Sequence, residues 1–345
     1  MKGLGFFAAA CCSATLLGGC GDTAIPAATS PSASSIFAQP RRDTSGMYLY
    51  VAGASLRQYA PGNSQPIHTA LPKYGDFFGA LTTDHAGRVI VVDSVSGVDI
   101  FDGQSLSLLK TVGASYPQSV AVDRYNDIYI ANCGGAVDVY SSGGKKKLRG
   151  IGSGYGGCFV AADKRGDIYL TNGYGRVEVY AVEKPGSVTL LRTITKGVTN
   201  PDSFAFGPNG DVYILNYQLY SGSGNGSVSV YPAGSTSPKL TIERGIDLPF
   251  AIAVDSNGML YVGNDPETWH RRDGWVSVYA PGSHKVMRRI RTGVNAPLAL
   301  TTDSADNVYV GNAYGNDVTV HNASGKLIER MTGGVQDPAT LAIGQ

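Results

Sequence analysis

The chain is poor in cysteine, methionine and tryptophan. Its 345 residues include five Cys, five Met and two Trp. So few cysteines exclude a scaffold held together by a disulfide framework. Only five Glu occur, at 178, 183, 243, 267 and 329. Lys and Arg total 28 against 27 Asp and Glu, and removing Lys2 leaves 27 of each. Such balance lacks the positive field a phosphate backbone requires, so no nucleic-acid partner is expected. No apolar run reaches the roughly 18 residues of a spanning helix. Helical periodicity is also missing beyond the N-terminus, which leaves strands and turns as the building material.

What the sequence does contain is 46 Gly, 20 Tyr and a repeat of about 40 residues. The fullest copy reads Pro249-Phe-Ala-Ile-Ala-Val-Asp255-Ser-Asn-Gly-Met-Leu-Tyr261-Val-Gly-Asn264, with Val276-Ser-Val-Tyr279-Ala-Pro-Gly282 further on. Asp84, Asp123, Asp163, Asp255 and Asp303 share one repeat position, which Gly207 and Gly344 fill in two other copies. Six residues later stand Ile90, Tyr129, Tyr169, Tyr213, Tyr261 and Tyr309. Three residues beyond these come Asp93, Asn132, Asn172, Asn216, Asn264 and Asn312. A third strand then ends in Phe101, Tyr140, Tyr180, Tyr231, Tyr279 or His321. Alternation such as Val137-Asp-Val-Tyr140 is the period-2 pattern of half-buried strands. Each copy is a small sheet unable to bury its own faces, which predicts an all-β, radially stacked β-propeller.

Six full copies start near residues 78, 117, 157, 201, 249 and 297. Residues from Met47 to about Leu71 supply a second strand (Tyr48–Ala52), a third (Leu56–Tyr59) and a fourth, without an innermost one. The C-terminus ends on an innermost strand alone, Pro338-Ala-Thr-Leu-Ala-Ile343. Pairing that strand with the N-terminal blade predicts seven blades and a ring without free edges. Six blades is the alternative if the N-terminal half-blade packs differently.

The first 46 residues carry an address. Lys2 precedes the apolar stretch Leu4–Leu17, which suits the core of a signal peptide. Leu17-Gly-Gly-Cys20 resembles the bacterial lipobox, which implies a signal over 1–19 and lipidation, including a palmitate chain, at Cys20; an ordinary cleaved signal is the alternative. Residues 20–46, rich in Ala, Ser, Thr and Pro, read as an unstructured tether before the propeller at 47–345. The expected location is the bacterial cell envelope, and Gly21 after the Cys favours the outer membrane in a Gram-negative cell. The expected partners are the membrane, through the anchor, and an envelope protein, peptide or glycan; the expected state is a monomer.

With Cys11, Cys12 and Cys20 assigned to this leader, Cys133 and Cys158 remain. One ends a second strand and the other begins the next innermost strand, on the same face of neighbouring blades. They are predicted to form a disulfide closing about 26 residues. The repeated Asp residues precede short turns and are predicted to cap backbone amides rather than bind calcium; the Asn series is read the same way, as loop caps.

The departures from the repeat carry more functional information. From the Asn to the third-strand aromatic takes 8 residues at 132 and 172 and 9 at 312, but 15 at both 216 and 264. The first insertion holds Tyr217 and Tyr220; the second holds Glu267, Trp269, His270 and Trp275, both tryptophans of the protein. Neighbouring loops add Tyr174 and Tyr314. An aromatic, polar-tipped rim of this kind is the composition of a recognition surface.

The pattern Pro-x-x-x-Ala-x-Asp-x-x-Gly-x-Leu-Tyr-Val-x-Asn resembles NHL-repeat propellers, relatives of gluconolactonase-like hydrolases and of the streptogramin B lyases. The resemblance covers nearly all of 47–345. It implies either a binding module or an enzyme at the channel mouth. Lactonase-like relatives hold a divalent cation through Glu, Asn and Asp. No Glu here begins an innermost strand, so no metal ligand or cofactor is assigned. Lyase relatives use two His and a Glu; Glu267 and His270 offer one of each, in different spacing. The reading that results is a membrane-anchored binding or scaffold module acting through the insertion face, with a lyase or metal-dependent lactonase at the same mouth as the alternative.

Overall fold

A computed structural model describes residues 47–72, 79–93, 95–152, 158–172, 175–217, 226–266 and 274–344. Seven four-stranded antiparallel sheets form, each with strands in chain order from the innermost outwards, blade 1 excepted. The innermost strands are Thr340–Gly344 in blade 1, then Leu81–Thr83, Pro117–Val122, Val160–Ala162, Pro201–Phe206, Pro249–Val254 and Pro297–Thr302 in blades 2 to 7. Blade 1 is the composite: Tyr48–Ala52 pairs with Leu56–Tyr59 on one side and with Thr340–Gly344 on the other, Tyr48 opposite Gly344 and Ala52 opposite Thr340. Seven blades closed by the chain ends is therefore the architecture, and the six-bladed alternative is excluded.

Burial explains the strand patterns. Second strands such as Val212–Asn216 and Leu260–Asn264 are buried throughout, because neighbouring blades cover both of their faces. Outermost strands such as Val286–Ile290 alternate, one face packed and one wet. One apolar cluster fills each of the seven spaces between adjacent blades. Between blades 3 and 4 it joins Tyr129, Val137 and Val139 to Val160, Ile168 and Leu170. Between blades 7 and 1 it joins Ala299 and Val318 to Leu49, Val51 and Leu341.

The repeated Asp builds the hairpin after the innermost strand in the five blades that carry it. In Asp255, Oδ1 accepts the amides of Asn257 and Met259 while Oδ2 accepts the Tyr261 hydroxyl at 2.9 Å. Asp123 does the same with Tyr125, Asp127 and Tyr129, and Asp303 with Ala305, Asn307 and Tyr309. Each carboxylate thus ties a turn to the ring six residues on. The fourth turn position needs a left-handed backbone, and Gly258 (φ 79°), Asn126 (65°) and Asp306 (60°) all provide it.

The Asn series does a second structural job at the opposite end of the strands. Oδ1 of Asn216, Asn264 and Asn312 accepts the amide of Thr199, Asp247 and Asn295, at 3.1, 2.8 and 2.9 Å. These amides belong to the loops that lead into each innermost strand. The Asp carboxylates described above and these three Asn are therefore consumed by the scaffold.

Candidate binding site at the channel mouth

Cross-strand register defines which residues surround the central channel. Pro117, Pro201, Pro249 and Pro297 lie opposite Asn132, Asn216, Asn264 and Asn312, and a bulge follows each Pro. The bulged residue stands at the channel mouth, where bulges commonly re-aim side chains. Carried around the ring, this position holds Ala339, Gly79, Gln118, Cys158, Asp202, Phe250 and Leu298. In every copy it is half-buried. Just outside it, the residue after each Asn begins the loop between second and third strands: Cys133, Tyr217, Asp265 and Ala313 in blades 3, 5, 6 and 7.

Each second strand packs on the innermost strand of the following blade, so these two rings meet. Cys133 of blade 3 joins Cys158 of blade 4 in a disulfide, Cα–Cα 4.4 Å. The predicted bridge is present. Two blades on, the same pair of positions holds a ring contact: Tyr217 lies 5.4 Å from Phe250, tilted at 50°. By register the next pair is Asp265 with Leu298.

Asp202 and Asp265 are unlike everything else in these rings. Asp265 is buried and its Oδ1 has no hydrogen-bond partner among the described residues. Asp202 keeps part of its surface open, yet the protein around it strips away enough water to matter. It has no hydrogen bond or ion pair among the described residues. Desolvation pushes both carboxyls up to about 6. The sequence reading singled out neither, since neither belongs to a repeated polar series. The available signal was positional: after the Pro, the other copies place neutral or apolar side chains where blade 5 places Asp202.

An unpaired buried carboxylate has a measurable consequence. A raised folded-state value means the stability that protonation supplies is complete below the unfolded value near 4 and is lost as pH rises through about 6. Asp265→Asn is therefore expected to stabilise the fold by roughly 2 kcal/mol at about pH 7.5, with the gain vanishing near pH 4. Urea melts at the two pH values check this; an equal effect at both would place its origin elsewhere.

The remaining predicted residues divide into two groups. Trp275 opens the third strand of blade 6 and is buried, with its indole N–H donating to Ser277 Oγ at 3.0 Å. The guanidinium carbons of Arg289 and Arg291 lie 5.2 and 4.8 Å from its ring. Tyr314 is 47% exposed in the loop after Asn312. The Tyr217 amide donates to Asn200, which fixes the start of the long loop. Cys20, Tyr174, Tyr220, Glu267, Trp269 and His270 lie outside the described residues. Among the described residues no group of three or more His, Cys, Asp or Glu could hold a metal ion.

Known proteins share this architecture. Hydrazine synthase of Kuenenia stuttgartiensis matches with a TM-score of 0.65 at 13% identity, over 82% of this chain and 92% of the other. A functionally unknown protein of Desulfotomaculum acetoxidans matches with a TM-score of 0.67 at 15% identity, over 86% and 98%. The likeness is one of fold. No family model matches the sequence, and no curated protein matches it. The chemistry of the mouth must therefore be argued from its own side chains.

Proposed function

We propose that this chain is a binding or scaffold module of the bacterial envelope, anchored by lipid at Cys20, that grips its partner at the channel mouth of blades 5 to 7. The observation that carries this reading is the pair of carboxylates, Asp202 and Asp265, that find no compensating partner among the described residues, beside the Tyr217–Phe250 ring contact. Unpaired buried acids weaken a fold, and such weakness concentrates where function requires it. A partner that brings an ammonium, guanidinium or amide donor into the mouth would satisfy both groups, with the aromatic pair covering its apolar part. The insertions carrying Tyr220, Trp269 and His270 follow directly from Tyr217 and Asp265 in the chain. Membrane, envelope peptide and glycan partners all remain consistent with an anchored propeller.

The test is affinity capture from the cell's own envelope by wild type and by the Asp202→Asn, Asp265→Asn double variant. At neutral pH the double variant is expected to lose capture by about tenfold or more, as expected for losing buried charge-assisted contacts. Lowering the pH below about 6 should make wild type behave like the variant. Identical capture profiles at neutral pH would remove the mouth from the interaction.

A second reading has one observation in its favour. A carboxyl near 6 suits general acid–base catalysis at neutral pH, so the same two acids, with Glu267 and His270, could serve a lyase or lactonase-type reaction. A divalent cation retained through purification would favour the hydrolase.

A further inference from the structure

Four of the loops that lead into innermost strands are built alike. Residues 195–200, 243–248, 291–296 and 332–337 each span six positions between an outermost strand and the Pro of the next blade. Each contains a left-handed Gly (197, 245, 293, 334) followed by a buried aliphatic residue: Val198, Ile246, Val294 and Val335, all at most 7% exposed. Carbonyls of these loops receive the third strand. The Tyr231 and Tyr279 hydroxyls donate to Lys196 and Arg244, and Ser229 and Ser277 donate to Gly197 and Gly245. The loop is thus a plug seated on the polar side chains of the blade it enters.

Blade 3 is entered by only four residues, Gly113-Ala114-Ser115-Tyr116. The register on both sides is unchanged. Val112 pairs with Val98 as Ile290 pairs with Val276. Tyr116 (φ 54°) has the left-handed backbone of Leu248 (44°) and Ala296 (52°) before the Pro. The shortfall is two residues, and it falls on the plug. A broad depression of about 740 Å³, open to solvent, lies there, with Asn132, Asp138, Tyr140 and Lys147 in its lining.

The groups left uncovered are the ones that the plug satisfies elsewhere. Asn132 Oδ1, whose counterparts accept a loop amide, is buried without a partner among the described residues. Tyr140 is half-buried where Tyr231 and Tyr279 are fully buried, and among the described residues its hydroxyl meets no loop carbonyl. Asp138 stands where blades 5 and 6 carry Ser, and it pairs with Lys147 at 2.8 Å. At the rim the Tyr116 ring is 80% exposed. The Cys133 amide donates to its carbonyl at 3.0 Å, and the Cys133–Cys158 disulfide secures that edge. A side chain at Gly113 or Gly134 would meet open space.

We infer that this cavity is a saccharide site taking a neutral disaccharide. The volume lies in the range of small-ligand sites. One carboxylate and one ammonium cancel, so neither an anion nor a cation gains. An amide oxygen, a phenol, a carboxylate and an ammonium offer both acceptors and donors, which matches hydroxyl groups that donate and accept at once. The exposed Tyr116 face suits the flat C–H face of a pyranose. The site uses none of the blade 5 and 6 residues invoked above, Asp202, Tyr217, Phe250 and Asp265, so it stands or falls independently of the function proposed above.

Calorimetric titration of the full chain with maltose, cellobiose and di-N-acetylchitobiose tests this, with glucosamine and glucuronate as charged controls. At least one neutral disaccharide is expected to bind. Tyr116→Ala should weaken that binding by about tenfold, the size of one ring contact. Replacing Gly113–Ala114 with the segment found at 291–294, Arg-Thr-Gly-Val, should restore the plug and abolish binding while the thermal transition persists. Ile328→Ala, on the exposed side of the outermost strand of blade 7, should leave it unchanged. Absence of binding by all three disaccharides, binding by the charged controls alone, or binding indifferent to both Tyr116→Ala and the restored plug would overturn the assignment.

Discussion

Removing Pro338 to Gln345 is expected to abolish cooperative folding, although it deletes only eight residues. Those residues include the strand Thr340–Gly344, which pairs with Tyr48–Ala52 along its full length. Leu341 sits in the cluster shared by blades 7 and 1, where Ile343 packs against it, and Ala342 packs against the cluster shared by blades 1 and 2. One deletion thus strips two of the seven interfaces. About five ladder hydrogen bonds at roughly 1 kcal/mol, with apolar side chains at about 1.5–3 kcal/mol each, match the whole stability of a typical domain. It also leaves an open ring with unpaired edges, a template for aggregation. Size-exclusion chromatography and urea melts check the outcome. A synthetic peptide spanning Pro338–Gly344, added in trans, should recover the native melt in part. A truncated chain that stays monomeric and melts in one transition near wild type would show that the composite blade is dispensable.

The second large effect concerns the bridge between blades 3 and 4. Cys133→Ser, or reduction of the native protein, is expected to lower stability by about 3–4 kcal/mol, because a crosslink over 25 positions restricts the unfolded chain by that much. The seven blades should survive, since the cluster that joins Tyr129, Val137 and Val139 to Val160, Ile168 and Leu170 does not depend on the sulfur atoms. Urea melts with and without reductant measure the difference, with Cys158→Ser as a second route to the same state. Two single variants that each match wild type would mean that the bond adds nothing beyond the packing. The expected loss applies to an oxidised protein, so the effect of reductant also reports which state the cell produces.

Much of this fold can be read without coordinates, for a physical reason. A blade has too little surface to bury alone, so its Asp turn, aromatic positions and Asn cap recur in most copies, and spacing alone revealed seven blades and the closing strand. The pairing of Cys133 with Cys158 followed from the same register. The site was less legible. Asp202 is recognisable only once the residue after each Pro is known to face the mouth, and that depends on a bulge. Asp265 reads as one more loop acid until its burial and missing partner are seen. Trp275 shares the aromatic composition of the rim, yet its ring is closed in by Arg289 and Arg291, contacts made across strands rather than along the chain. The cavity at blade 3 was present in the sequence as a gap of two residues. Insertions draw the eye, whereas a shortened loop matters only when the plug it lacks has a known job.

The composite blade also sets a timetable. A ribosome delivers Tyr48 to Ala52 before blades 2 to 7 and Thr340 to Gly344 after them, so those six blades can be complete while blade 1 still lacks its inner wall. Until Thr340 to Gly344 emerge, every intermediate carries an unpaired strand and two uncovered apolar faces. Closure thus waits on blades 2 to 7, and a chain stalled or clipped before Thr340 is marked as unfinished by its own exposed surface.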